Sequence, residues 1–84
     1  MTMTQDPAYA GTVPPAVRFS GHNLRVRRVM RGLNQKQLAG IIPQSTASVR
    51  DWEGGRSLPG TRTVCRLAEV LDCKVEDLFE DTRS

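Results

Sequence analysis

The amino-acid sequence predicts an all-α fold, a compact domain of five short helices that follows a flexible N-terminal arm. From Ser20 onward the apolar residues recur at helical spacing, and no stretch alternates apolar and polar residues as a half-buried strand would. Glycine and proline interrupt this pattern at short intervals, which keeps each helix short. With 84 residues, the chain is long enough for one small domain.

The arm is predicted over residues 1–19. Residues 1–17 contain three prolines and show no apolar periodicity, which is typical of an unpacked segment. The helical domain then occupies residues 20–80, and residues 81–84 form a short C-terminal tail.

The first two helices are delimited by residues that favour helix ends. Helix one is predicted from about residue 22 to residue 31, where Gly32 stops it. Asn34 is a favourable N-cap for a second helix that extends to about Ile41. Pro43 ends that helix, because proline lacks the backbone N–H group and its ring clashes with the preceding turn.

The remaining helices follow from the same signals. Ser45 is the predicted N-cap of helix three, which extends to about Glu53 and ends at the Gly54-Gly55 pair. Residues 61–71 are predicted as helix four, with apolar residues at core spacing. Residues 75–80 are predicted as a short fifth helix.

Charge is distributed unevenly along the chain, which carries +3 overall. Residues 18–66 contain ten basic residues and two acidic ones, whereas residues 67–84 contain six acidic residues and two basic ones. A separate basic surface of this kind suits a polyanion such as nucleic acid. The basic residues of the first stretch are Arg18, Arg25, Arg27, Arg28, Arg31, Lys36, Arg50, Arg56, Arg62 and Arg66.

Helix three has two different faces. On a helical wheel, Val49 and Trp52 lie on one side, where they can anchor the helix to the helix before it. The other side carries small and polar residues and no bulky apolar one: Thr46, Ala47, Arg50, Asp51 and Gly54. A helix anchored on one face and open on the other can enter the major groove of DNA.

The spacing of residues around this helix matches a known pattern. Asn34 and Gln35 open helix two, Leu38 and Ala39 follow, and helix three ends in Trp52-Glu53 before Gly55 and Pro59. The stretch from residue 33 to residue 59 therefore resembles the helix-turn-helix of lambda-type repressors and Cro proteins, the XRE-like regulators. Residues 66–79 resemble the closing helices of that family.

The resemblance implies a role in DNA binding for eight residues. Gln35 and Arg56 would contact backbone phosphates, and Gln44 and Ser45 would lie beside the backbone at the start of the recognition helix, residues 45–53. Thr46, Ala47 and Asp51 fall where the family reads base edges, and Arg50 flanks them. Asp51 could accept a hydrogen bond from cytosine or could instead orient Arg50.

Helix one fits the family pattern less well. An ungapped match puts Arg27 where the family is usually apolar, and turns an apolar stripe outward: Val26, Val29 and Met30. Either the arm or a second subunit covers this stripe, or the helix is rotated about its axis. The family's ion pair between helix one and the recognition helix would join Arg28 to Glu53 only if the helix is not rotated.

Other classes of protein are disfavoured by the residues present. The single histidine, His22, has no nucleophile or metal-ligand pattern around it, which argues against an enzyme. The spacing of Cys65 and Cys73 fits neither a zinc site nor a redox pair, so we interpret both as reduced thiols. We therefore expect no metal, cofactor or small-molecule ligand. No apolar run is long enough to span a membrane, and we expect a cytoplasmic protein.

The sequence thus predicts a sequence-specific regulator of transcription, a bacterial or phage repressor or Cro-like protein, that reads the major groove of a double-stranded DNA operator with helix 45–53. A homodimer is expected on DNA, because one short helix reads only a half-site. The alternative is a protein-interaction module with the same fold, such as an antitoxin or a transcription adaptor.

Overall fold

The structure, a computed structural model, describes residues 17–82. Most of the predicted arm, residues 1–16, lies outside this range. The elements in chain order are strand β1 (Val17–Phe19), helices α1 (Gly21–Met30), α2 (Gln35–Ile41), α3 (Thr46–Gly54) and α4 (Thr61–Val70), a 3-10 helix (Val75–Leu78) and strand β2 (Phe79–Asp81). The all-α prediction is confirmed for the body of the domain, with four α-helices and a 3-10 helix in place of five helices, and with a short strand pair that was not predicted.

Three of the four α-helices begin at a polar side-chain cap, and α4 begins at Gly60 without one. The Ser20 side chain accepts a hydrogen bond from the Asn23 backbone at the start of α1. Asn34 caps α2 in a reciprocal arrangement with Gln37, in which each side chain accepts from the backbone N–H group of the other residue. Both predicted N-caps, Asn34 and Ser45, are confirmed. These caps fix where α2 and α3 start, and so the position of the turn between them.

Two segments depart from the predicted all-helical pattern. Residues 17–19, predicted as the end of the arm, pair antiparallel with residues 79–81, so that Val17 is opposite Asp81 and Phe19 is opposite Phe79. The predicted fifth helix is a 3-10 helix of four residues that ends where β2 begins. Pairing with β1 satisfies the backbone groups of residues 79–81 in place of further helical turns.

One hydrophobic core joins all four helices to the 3-10 helix. Leu24 of α1, Leu38 of α2, Val49 of α3, Leu67 of α4 and Leu78 are fully buried. The Phe19 and Phe79 rings pack edge to face, with their centroids 5.9 Å apart, against the margin of this core. The two ends of the described domain therefore meet in the strand pair, and this pair covers one side of the core.

The two cysteines are free thiols in different surroundings. Cys65 is exposed on α4, and Cys73 is half-buried in the loop that follows α4. Burial raises the pKa of the Cys73 thiol, and the charge of Arg27 partly opposes this effect. A raised pKa keeps Cys73 in the less reactive thiol form near neutral pH, in line with the interpretation as a reduced thiol.

Helix α1 begins directly against the backbone of α3. A Cβ atom added at Gly21 would overlap the carbonyl oxygens of Trp52 and Glu53. Only glycine allows this close approach, which brings the N-terminus of α1 onto the last turn of α3.

We expect Gly21→Ala to lower the free energy of unfolding by about 1–3 kcal/mol, because the added methyl group must push two backbone segments apart. Urea unfolding measures the change. Gly40→Ala is the matched control, since nothing lies within 4 Å of a Cβ at this exposed helical position. That variant should be about 1 kcal/mol more stable than the original chain, as alanine favours helix. Equal stability of the Gly21→Ala variant and the original chain would contradict the close approach.

Candidate nucleic-acid interface

Helix α3 is anchored on one face and open on the other. Val49 is fully buried and Trp52 is 6% exposed, both in the central core, as the helical wheel predicts. Ala47 and Arg50 are exposed, and Thr46 and Asp51 are partly exposed. No large apolar residue lies on the open face, so nothing there requires burial by the protein itself.

The turn between α2 and α3 presents two of the predicted site residues. Gln44 is exposed, and its backbone N–H group donates to the Ala39 carbonyl over 2.9 Å. The Ser45 hydroxyl accepts from the Ser48 backbone N–H group over 3.0 Å. Ser45 is therefore engaged as a helix cap, while the Gln44 side chain projects from the turn next to the start of α3.

A nearly buried ion pair joins α1 to α3. Arg28 donates to both carboxylate oxygens of Glu53, over 2.6 Å and 3.1 Å, and to the Leu33 carbonyl over 2.7 Å. The amide nitrogen of Gln35 donates to the same carboxylate over 3.0 Å. Helices α1 and α2 thus both contact Glu53 of α3, and the ion pair that the family resemblance implied is present.

This ion pair also establishes the orientation of helix one. Leu24 and Arg28 are the buried residues of α1, whereas Arg27 lies at its margin, 3.6 Å from Asp77. The helix is not rotated away from the family pattern. Among the described residues the apolar stripe is left uncovered, with exposed fractions of 40% for Val26, 58% for Val29 and 69% for Met30. The arm residues considered for covering the stripe are Tyr9, Val13, Val17 and Phe19. Val17 and Phe19 lie in β1 and leave the stripe exposed, and Tyr9 and Val13 lie outside the described residues.

Asp51 has a different partner from the one considered in the sequence. Its carboxylate accepts from Arg56 over 3.0 Å, not from Arg50. The loop after α3 turns back here, because Gly55 adopts a left-handed conformation with φ of 77° and the Arg56 backbone then donates to the Asp51 carbonyl. Asp51 therefore orients the loop arginine, and Arg50 stays free of ion pairs within the described chain.

A cleft of about 540 Å³ brings several of these side chains together. We call it the arginine cleft; it lies between α1, the start of α2 and the end of α3, and its lining includes Arg25, Asn34, Gln35, Arg50 and Arg56. Its one carboxylate, Glu53, is already paired with Arg28. The cleft thus carries an excess of positive charge that suits an anion.

Arg25 is the member of this cleft that the sequence did not single out. It is exposed on α1 and forms no ion pair with the described residues. Its position one helical turn before Arg28 is the signal that could have identified it, because residues three apart lie on neighbouring positions of a helix surface.

The described residues contain neither a metal-binding cluster nor a membrane-spanning helix. Residues 17–82 contain no group of three or more histidine, cysteine or acidic side chains placed to hold a metal ion. In the same part of the chain no helix is long and apolar enough to cross a membrane.

Comparison with known proteins identifies a family for the chain. A family model described as a helix-turn-helix domain matches residues 21–80. The restriction-modification controller protein C.AhdI from Aeromonas hydrophila is 29% identical, with a TM-score of 0.65 over 69% of this chain and 88% of that one. The P22 c2 repressor, solved in complex with a synthetic operator, is 23% identical, with a TM-score of 0.68 over 73% of this chain and 92% of that one.

The same fold also occurs as part of a larger protein. A structure of HppE with cobalt and substrate has a TM-score of 0.67 and 23% identity, over 71% of this chain but 34% of that one. No curated protein sequence is similar to the chain.

Proposed function

The chain belongs to the helix-turn-helix domain family, and we propose from this that it binds specific double-stranded DNA sites and regulates transcription. The observation that carries the proposal is the geometry of α3, which is anchored by Val49 and Trp52 and open along Thr46, Ala47 and Arg50. A helix of this kind fits the major groove. We further propose that the protein acts in the cytoplasm of a bacterium or of a phage-infected host, where the DNA lies.

The proposed contacts divide into base reading and backbone binding. Arg50 can donate two hydrogen bonds to guanine, and the Ala47 methyl group can contact the methyl group of thymine. Thr46 lies beside them, and Asp51 can accept from cytosine. Gln44, Ser45 and Gln35 border this face and would contact the backbone.

Arg56 is proposed to bind a backbone phosphate. Its ion pair with Asp51 is exposed, with 62% and 43% of the two side chains accessible, and an exposed pair of this kind contributes about 0–1 kcal/mol. A phosphate can therefore replace the Asp51 carboxylate as the partner of Arg56, or bind Arg56 together with it, at little cost in free energy.

The roles of Arg50 and Arg56 should differ in kind. We expect Arg50→Ala to weaken binding to the preferred site by about 1–3 kcal/mol and binding to random duplex much less. Arg56→Ala should weaken both alike and lower the slope of log affinity against log salt by about one. Fluorescence anisotropy on both duplexes across a salt series measures these quantities.

The preferred site itself is identified by selecting, from a random pool, the duplexes that the protein binds. An equal loss on specific and random duplex for Arg50→Ala would make Arg50 a phosphate contact and leave base reading to Thr46, Ala47 and Asp51. Binding without steep salt dependence would contradict the DNA-binding proposal and favour a protein-interaction module.

We also propose that two copies bind together on DNA. One recognition helix covers only a few base pairs, and two helices about one helical turn apart supply useful affinity and specificity. A selected site with two-fold symmetry and a mass of two chains per duplex in analytical ultracentrifugation would support the homodimer. An asymmetric site occupied by one chain would overturn it.

A further inference from the structure

A second basic cleft lies beside the turn that precedes α3. Its volume is about 450 Å³, and it is bounded by the turn residues 42–44 and by one face of α4. We call it the α4 cleft; its polar side chains are those of Gln44, Arg62, Thr63, Arg66 and Glu69. None of the contacts proposed above uses the α4 side chains of this cleft.

The two arginines of the α4 cleft are available for a ligand. Arg62 and Arg66 are four residues apart and so lie one turn above the other on the same face of α4. Both are exposed, and neither forms an ion pair with any residue in the described range. By contrast, Arg18, Arg27, Arg28 and Arg56 each have a carboxylate partner.

The position of the α4 cleft relates these arginines to DNA. Gln44 immediately precedes Ser45, the N-cap of α3, so the cleft opens next to the start of the recognition helix. The arginine cleft lies at the other end of the same helix, beside Arg50 and Arg56. A helix in the major groove has a phosphate backbone on either side of it, and so basic groups near both ends of α3 can each meet a backbone.

We propose that Arg62 and Arg66 bind a backbone phosphate of double-stranded DNA in the α4 cleft. The proposal rests on the proposed function and adds a contact separate from the arginine cleft. Two guanidinium groups on successive turns can donate to different oxygens of one phosphate, and a charge-assisted hydrogen bond of this type is stronger than a neutral one. Glu69 lies one turn beyond Arg66 and leaves the cleft with a net positive charge.

The test is the salt dependence of DNA binding by an Arg62→Ala/Arg66→Ala variant. Each phosphate contact contributes about 0.9 to the slope of log affinity against log salt on duplex DNA. We expect the slope to fall by about one and the affinity to drop by a similar factor on the selected site and on random duplex. Lysine at both positions should retain most of the slope.

Arg31→Ala is the matched control, because Arg31 is exposed at the end of α1, has no ion pair within the described residues and lines neither cleft. If Arg31→Ala changes the slope as much per charge removed as the double variant does, the effect is a general electrostatic one and the proposal is overturned. Because both arginines are exposed, we expect each variant to keep the fold, and thermal unfolding of each variant verifies this.

A competition arm separates a DNA phosphate from free phosphate. Inorganic phosphate should inhibit the original chain more than chloride at matched ionic strength, because a cleft that binds a backbone phosphate can also bind the free anion, and so the salt slope of the double variant decides between them. One combination of results is that the double variant loses this stronger inhibition of DNA binding by phosphate and yet keeps the salt slope of the original chain. That combination would assign the cleft to free anions and overturn the proposal. If the original chain binds neither duplex, the proposed function is overturned as well. If it binds DNA and the double variant has the same salt slope, the α4 contact alone is overturned.

Discussion

Replacing Trp52 with alanine should lower the free energy of unfolding by about 3–5 kcal/mol, which is a large fraction of the stability expected of so small a domain at 25 °C. The side chain is 6% exposed and belongs to the one core that joins the helices. Its removal leaves a cavity where α3 packs against the rest of the domain, and the recognition helix depends on that packing for its position. Circular dichroism during urea and thermal unfolding measures the loss.

Met30→Ala is the control for this experiment. Met30 is 69% exposed on α1, so its truncation removes apolar surface that is already in water. We expect a change within about 0.5 kcal/mol, as for other surface substitutions. A Trp52→Ala variant that melts within a few degrees of the original chain would contradict the pairing of α3 with the core.

Breaking the ion pair between Arg28 and Glu53 should have an effect of the same size. The side chains are 11% and 5% exposed, so Arg28→Met leaves a carboxylate in the interior with only the Gln35 amide as a partner. Removal of one member of a buried pair costs about 3–5 kcal/mol, because the remaining charge is neither solvated nor neutralised. Urea unfolding at neutral pH gives the value.

A second variant distinguishes the buried charge from lost packing. Arg28→Met/Glu53→Leu removes both charges and should recover much of the loss, since well-packed apolar residues can replace a buried pair. Arg56→Ala, which breaks the exposed pair with Asp51, should change stability by less than about 1 kcal/mol. A single Arg28→Met variant no less stable than the double one would refute the unpaired-charge explanation.

The helices and their faces could be predicted because their signals are local. Asn34 and Ser45 mark helix starts through hydrogen bonds to residues three positions along, and a sequence displays both partners. Val49 and Trp52 are likewise assigned to the core by a period that a helical wheel reveals. The family resemblance added the pair between Arg28 and Glu53, whose members are 25 residues apart and have no local pattern in common.

The strand pair could not be predicted in this way. Three residues are too few to display an alternating pattern, and the partner of Val17 is Asp81, at the far end of the domain. The same limit applies to the candidate interface. Asp51 lies one position from Arg50 in the sequence, but the left-handed conformation of Gly55 turns Arg56 back to it instead. Arg25 joins the arginine cleft only once α1 packs across α3.

The antiparallel pairing of β1 with β2 has a consequence for the kinetics of folding. The Arg18–Glu80 pair spans 62 residues, and closing a loop of that length costs about 4 kcal/mol of chain entropy. The contacts between neighbouring helices close much shorter loops, so we infer that the helices assemble first and the strands join last. Interactions that form after the transition state affect the unfolding rate and leave the folding rate unchanged. The strand pair is therefore expected to contribute to how long a folded molecule persists more than to how quickly it forms.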